Sequence, residues 1–176
     1  MIKHDIVIIG GGPAGMAAAV AAYDNGVHDV VIIDREEKLG GILKQCIHNG
    51  FGLHKLGKEL TGPEYAAHYE KAVADRGIKV FYETMVTDIS ESRTVTAQNS
   101  EGILKIEAKA VVLAMGCRER SRGALNIPGT RPAGVYSAGT AQKLINCMGY
   151  SVGKRVVILG SGDIGLIMAR RMSLQG

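Results

Sequence analysis

Gly10, Gly12 and Gly15 stand between a β-branched run, residues 6–9, and an uncharged stretch, residues 13–23. G-x-G-x-x-G at a strand-to-helix turn suits one chemistry above others, the holding of a dinucleotide diphosphate. The first glycine permits the tight turn, the second lets backbone approach the pyrophosphate, and the third lets the helix pack on its strand. The anion then meets the free N–H groups and positive dipole end of the helix. A second β-branched run, residues 30–33, ends in Asp34 with Arg35 beside it. An acid there accepts hydrogen bonds from a ribose diol. The arrangement recurs at Gly160, Gly162 and Gly165 after residues 155–159. Two copies, each between strand and helix patterns, point to two dinucleotides. Asp163 is an unusual charge beside a pyrophosphate, and its plain reading is an acid favoured by a helix N-terminus.

Composition narrows the classes. A chain of 176 residues that is 46% hydrophobic can bury one sizeable core and start a second. Net charge is +4, no Lys/Arg run occurs and aromatics are only 5%, so no nucleic-acid footprint is present. Cys46, Cys117 and Cys147 form no C-x-x-C pair, which argues against a disulfide framework and for a reducing, cytoplasmic setting. Metal-ligand spacing is also lacking. Residues 6–23 could pass for a membrane helix, but Gly10-Gly11-Gly12-Pro13 splits them, so no membrane span is expected.

The elements that must position these residues follow in order. Strand 6–9, helix 13–23 with an Asn25-Gly26 stop, and strand 30–33 make the first unit. Residues 38–60 show no clean period and read as a long functional loop. Thr61-Gly62-Pro63-Glu64 is a capping-box start for a helix to about residue 75. Residues 80–82 return as a strand, 84–110 alternate as an antiparallel meander, and 110–114 form a short apolar strand. A linker bearing Ile127-Pro128-Gly129 leads to a helix capped by Ser137 and stopped by Gly149, with Cys147 in its core face. Arg118 and Arg120 around Glu119 read as a local ion-pair turn. Strand 155–159 opens the second unit, whose helix is expected to stop at Gly176 as the first stops at Gly26.

On Gly10-Gly11-Gly12-Pro13-Ala14-Gly15, Asp34, Gly40-Gly41, Leu113-Ala114-Met115-Gly116 and Gly160-Ser161-Gly162, the chain resembles the two-dinucleotide-binding-domain flavoproteins of the pyridine nucleotide–disulfide oxidoreductase-like superfamily. The resemblance covers the whole chain. Residues 115–120 and the 40–54 loop are most similar to a branch of FAD-dependent oxidoreductases. That branch includes amine- and opine-oxidase subunits and proteins encoded beside glycerol-phosphate genes. The resemblance implies an α/β fold: a Rossmann-like FAD-binding unit over 1–118 with an inserted antiparallel β meander, a linker and helix over 119–153, and the start of a Rossmann-like NAD(P)-binding unit over 154–176. FAD would lie in the first unit and NAD or NADP in the second, with hydride passing between nicotinamide and flavin. Gly10, Gly12, Pro13, Ala14, Gly15, Asp34 and Arg35 would hold FAD. Gly40 and Gly41 would lie against its diphosphate, Val86 would offer backbone to the adenine, and Ala114, Met115 and Gly116 would stand close to the cofactor. Gly160, Gly162 and Gly165 would hold the nicotinamide dinucleotide. Cys46 and His48 fall in a loop that faces the flavin in the family, where a thiol or imidazole could move a proton; a buried thiol and a backbone-bonded histidine is the plainer reading.

The departures matter as much. The family's disulfide reductases carry C-x-x-x-x-C after the Gly-Gly pair, and here those positions are Leu43 and His48. Cys46 lies between them with no partner in that stretch, so a disulfide relay is not expected. The repeat breaks off at Gly176, before the strand tip that separates NAD from NADP, and the chain reads as part of a longer protein. The favoured activity is FAD-dependent electron transfer between NAD(P)H and an acceptor or small substrate. The alternative is a non-catalytic dinucleotide-binding fragment or subunit needing partner chains, with a disulfide reductase weaker still. Partner subunits or a homodimer fit either of the first two.

Overall fold

Val30, Val31, Ile32 and Ile33 are all buried, and a strand with no exposed position needs both faces covered. In the computed structural model, which describes residues 1–130 and 132–175, this strand, β2 (Val30–Ile33), lies between β1 (Ile2–Ile9) and β5 (Lys79–Phe81), parallel to both. Successive side chains alternate between faces. Ile8, Val30 and Ile32 meet Met16 and Ala19 of α1 (Pro13–Asp24) and Val73 of α3 (Gly62–Asp75). Val7, Ile9, Val31 and Ile33 gather on the other face with Val95, Ile106 and Ala108. α3 starts at the capping box read from the sequence: the Thr61 N–H donates to Glu64 Oε2 at 2.7 Å, and the Glu64 N–H donates to Thr61 Oγ1 at 3.4 Å.

The meander does not form a separate sheet. β6 (Met85–Ile89), β7 (Thr94–Asn99) and β8 (Gly102–Leu113) extend the parallel strands into one six-stranded sheet, ordered β5-β2-β1-β8-β7-β6. β8 is 12 residues long. Its first half runs antiparallel to β7, and from Ile106 it runs parallel to β1. The short strand expected at 110–114 is therefore the far end of β8, kept apolar where it joins the parallel layer. The architecture is mixed α/β and Rossmann-like.

Residues 38–60 are more ordered than expected. They contain a 3-10 turn (Gly41–Gln45), β3 (Asn49–Phe51), α2 (Leu53–Leu56) and β4 (Leu60–Thr61), with β3 and β4 paired antiparallel. Elements of two to five residues are too short to leave a readable period.

The chain divides into two units, Met1–Lys44 with Asn49–Gly116, and Gln45–His48 with Cys117–Gly176. In the second, α4 (Ala138–Asn146) packs on α5 (Asp163–Gln175) through Ala141, Ile145 and Met168. Cys147 is exposed, not core, because the buried stripe of α4 runs through Ala141, Gln142 and Ile145. Residues 155–159 join no ladder, and Val157 is 96% exposed. A strand exists through its hydrogen-bonded neighbour, and none lies beside this segment among the described residues. Gly176, the expected stop of α5, lies outside the described residues.

Glu119 has a different task from the ion-pair turn expected of it. Its carboxylate accepts from Ser137 Oγ at 2.5 Å, the Gly139 N–H at 2.7 Å and the Thr140 N–H at 3.0 Å, so it caps α4 from 20 residues away. Burial pushes Glu119 up, but these hydrogen bonds outweigh it and leave the carboxyl below its ordinary range. A carboxyl depressed in the folded state stabilises fully above its unfolded pKa, about 4.3, and that stabilisation is lost as pH falls through the folded value. Urea unfolding of the second unit is expected to show its midpoint falling below about pH 4.3, and Glu119→Gln should flatten that fall. An unchanged pH profile in the variant would remove Glu119 from the cap.

Candidate dinucleotide-binding site

Parallel register brings three strand ends level, since Ile9 pairs with Ile33 on one side and with Leu113 on the other. Gly10, Asp34 and Ala114 are the next residues of each strand, and the Gly10 N–H donates to Ile33 O while the Ala114 N–H donates to Ile9 O. Ligands of open α/β sheets bind outside this carboxyl edge.

The turn from β1 to α1 is built by what its residues lack. Gly10 has φ +108°, and a Cβ there would run into the Ala114 carbonyl. At Gly15 a Cβ would land on the Gly10 carbonyl oxygen. The helix therefore sits against its own entry strand, as the spacing of the motif implies. Gly12 is the N-cap of α1 in ordinary extended backbone, with no side-chain hydrogen bond to the helix and no acidic residue in the first turn. Nothing lies within 4 Å of where its Cβ would be. Pro13 occupies the first helical position, where its missing N–H costs nothing, and Ala14 is exposed. The first N–H groups of α1 thus lack a side-chain partner. α3 and α4, by contrast, are capped by Thr61 and Glu119.

The Gly40-Gly41 pair comes to the same turn. The Gly40 N–H donates to Gly11 O at 2.8 Å, and a Cβ on Gly41 would stand 3.3 Å from Gly12 Cα. Lys44 and Glu70 form an ion pair beside Gly40. Asp34 is buried and doubly engaged: Oδ2 accepts from the Gly11 N–H at 2.5 Å and Oδ1 from the Glu36 N–H at 2.9 Å. Its carboxylate thereby ties the glycine turn to the end of β2. Arg35 is exposed, 3.7 Å from Glu36. Met115 is exposed and Gly116 has φ +70° just past β8. Val86 is not brought to the turn: it lies on the edge strand β6, opposite Ala97, with its side chain against the core.

Sequence reasoning counted Gly11 in the motif but gave it no role of its own, and passed over Leu39. A Cβ on Gly11 would collide with Leu39 Cδ2 and come within 2.8 Å of Asp34 Oδ2, so position 11 is constrained as Gly10 is, and Gly12 is not. The unbroken Gly10-Gly11-Gly12 run was the available signal.

The second glycine turn repeats the first more loosely. Gly160 has φ +116°, and Gly162 faces open space. A Cβ on Gly165 would meet Gly160 O and Ile158 Cγ2 at 3.4 Å, an ordinary contact. Asp163 opens α5. In the same unit, Cys46 is half-buried and His48 partly so, on a loop held by Gln45. Burial first, and then the neighbouring Cys147, push the Cys46 thiol up.

This fold and this turn define a Rossmann-like dinucleotide-binding protein. The chain belongs to the family described as pyridine nucleotide-disulphide oxidoreductase, whose model matches residues 4–176. It is 31% identical to an opine oxidase subunit from Agrobacterium tumefaciens (strain Ach5), over 96% of this chain and 34% of that protein. Hydrogen cyanide synthase subunit HcnB of Pseudomonas protegens is 29% identical, over 97% of this chain and 36% of its own length. The chain thus spans about a third of the length of these curated relatives. Among solved structures, L-proline dehydrogenase from P. horikoshii superposes with a TM-score of 0.70 at 24% identity, covering 98% of this chain and 34% of that one. That likeness bears on the fold. The opine-oxidase relative lies in the branch that residues 40–54 and 115–120 resemble. Among the described residues no helix is long and apolar enough to cross a membrane.

Proposed function

We propose that the first unit holds FAD at the Gly10–Gly15 turn, that Gly160, Gly162 and Gly165 hold NAD or NADP, and that the protein passes electrons between NAD(P)H and an acceptor or small substrate. The observation that carries this reading is the α1 N-terminus: no side-chain cap, no acidic first turn, and open space over Gly12. The residues fit the group, because a diphosphate needs close backbone and free N–H donors, and a Cβ is absent where it would come closest. When bound, FAD supplies two-electron transfer between a nicotinamide and an acceptor. Gly12 and the first turn of α1 receive the diphosphate, Gly40 and Gly41 border it, and Ala114 to Gly116 close the far side. Asp34 orients the turn through Gly11 while its remaining lone pairs face the ribose. Val86 offers only backbone, towards the adenine.

On this reading, residues 1–118 form the FAD domain, 119–153 the linker and helix, and 154–176 the start of the NAD(P) domain. No dithiol of family spacing takes part, since Leu43 is buried in the 3-10 turn and His48 stands at the second position. The relatives named above are subunits, which supports partner chains, and three free cysteines suit a reducing cytoplasm. A second reading, cofactor binding without turnover by this chain alone, is favoured by its covering about a third of those relatives.

Anaerobic mixing of FAD-loaded protein with NADH or NADPH separates the readings. Flavin bleaching that is lost in Gly162→Asp, with FAD content unchanged, is the expected result. FAD retained with no bleaching in the wild type supports the second reading. A Gly162→Asp variant that loses FAD instead would show that the two turns are assigned the wrong way round.

A further inference from the structure

Gln45 is held to α4 three times within one unit. Its Nε2 donates to Gln142 Oε1 at 2.9 Å and to Gly139 O at 3.2 Å, and its backbone carbonyl accepts from Asn146 Nδ2 at 2.8 Å. Asn146 is itself fixed, accepting from Arg171 Nε at 3.1 Å. Gln45 and Gln142 are both buried, so this network is shielded from water and its breakage would leave unpaired polar groups. The residue following Gln45 is Cys46, and the residue following Asn146 is Cys147. The hydrogen bond from Asn146 to Gln45 thus joins the residues that precede two free thiols, the first half-buried and the second exposed.

We propose that Cys46 and Cys147 form a reversible disulfide, by exchange with a low-molecular-weight disulfide, that fastens the Gln45–His48 loop to the C-terminal end of α4. The exposed Cys147 thiolate attacks one sulfur of the small disulfide, forming a mixed disulfide and releasing one small thiol. The Cys46 thiolate then attacks Cys147 Sγ, breaking the mixed disulfide and releasing the second small thiol. Two protein thiols are oxidised and one small disulfide is reduced to two thiols. The order follows from access and acidity: Cys147 faces solvent, whereas burial raises the Cys46 thiol and makes it the later, resolving partner. The bond lies outside the C-x-x-x-x-C position of the family's reductases and needs neither cofactor, so it stands or falls apart from the proposed function. Its consequence for the loop is direct, because it removes the Cys46 thiol as a proton carrier while it lasts.

The test uses the whole chain, reduced, freed of reductant, incubated with glutathione disulfide, quenched in acid and mapped by peptide mass. The expected product is a Cys46–Cys147 linked peptide, reversed by dithiothreitol, with Cys117 carrying at most bound glutathione. Cys46→Ser should trap glutathione on Cys147, and Cys147→Ser should yield no linked peptide. The wild-type map needs no variant to fold. Glutathione persisting on wild-type Cys147 without a link would overturn the proposal, as would links that include Cys117 in equal measure. So would the same pairing preference in guanidinium-denatured chain, since the fold would then not be its source.

Discussion

Gly12→Asp is expected to strip FAD from the protein while leaving the fold at least as stable as before. Gly12 has φ −72° and ψ −178°, a conformation open to any residue, and no atom lies within 4 Å of its Cβ position. An aspartate at a helix N-cap takes the N–H groups of the first turn and gains a few tenths of a kcal/mol over glycine. Those are the donors a diphosphate would use. The new carboxylate would also stand against the phosphate charge, and a loss of about a hundredfold in affinity, ~2.7 kcal/mol, is expected. Flavin fluorescence titration and a urea midpoint on the same sample read the two effects separately. FAD affinity unchanged would mean the turn is no phosphate cradle. A fall in both would make Gly12 a structural residue.

The third glycines of the two turns should respond with opposite signs. A Cβ at Gly15 would overlap the Gly10 carbonyl oxygen, with Gly10 C at 3.1 Å and Ala114 Cβ at 3.3 Å crowding it further. These are backbone and a packed strand end, which cannot swing aside, so Gly15→Ala should cost roughly 1–3 kcal/mol or more. At Gly165 the nearest atoms are at 3.4 Å, and replacing a helical glycine by alanine gains up to about 1 kcal/mol. Gly165→Ala should therefore hold or raise the midpoint of its unit. A Gly15→Ala protein of wild-type stability would show that β1 and α1 are not as closely joined as the structure has them.

The first unit was legible because its signals are dense and local. Residues 30–33 read as a strand from four β-branched residues, and the Thr61–Glu64 capping box announced α3 by residue type and spacing alone. The glycine motif carried the turn by its spacing: Gly15 answers to Gly10 within the motif itself, whereas the clash that keeps position 10 a glycine comes from Ala114 at the end of another strand. What escaped depends on distant partners. Nothing near Glu119 signals that it will cap a helix 20 residues on, and no spacing links Gln45 to Gln142 across 97 positions. The strand expected at 155–159 failed for a related reason: its β-branched run states a preference, but a ladder needs a neighbour. Cys147 misled because a short helix offers more than one apolar stripe, and the one that packs runs through Ala141, Gln142 and Ile145.

The most direct test of FAD binding at the Gly10–Gly15 turn is a titration of purified, flavin-free wild-type chain with FAD, followed by flavin fluorescence and repeated in the presence of ADP. Saturable binding of one FAD per chain, weakened by ADP because it shares the ribose and diphosphate that Asp34, Gly12 and α1 would receive, is the predicted result. A chain shown by circular dichroism to be folded, yet with no saturable FAD binding, would contradict it.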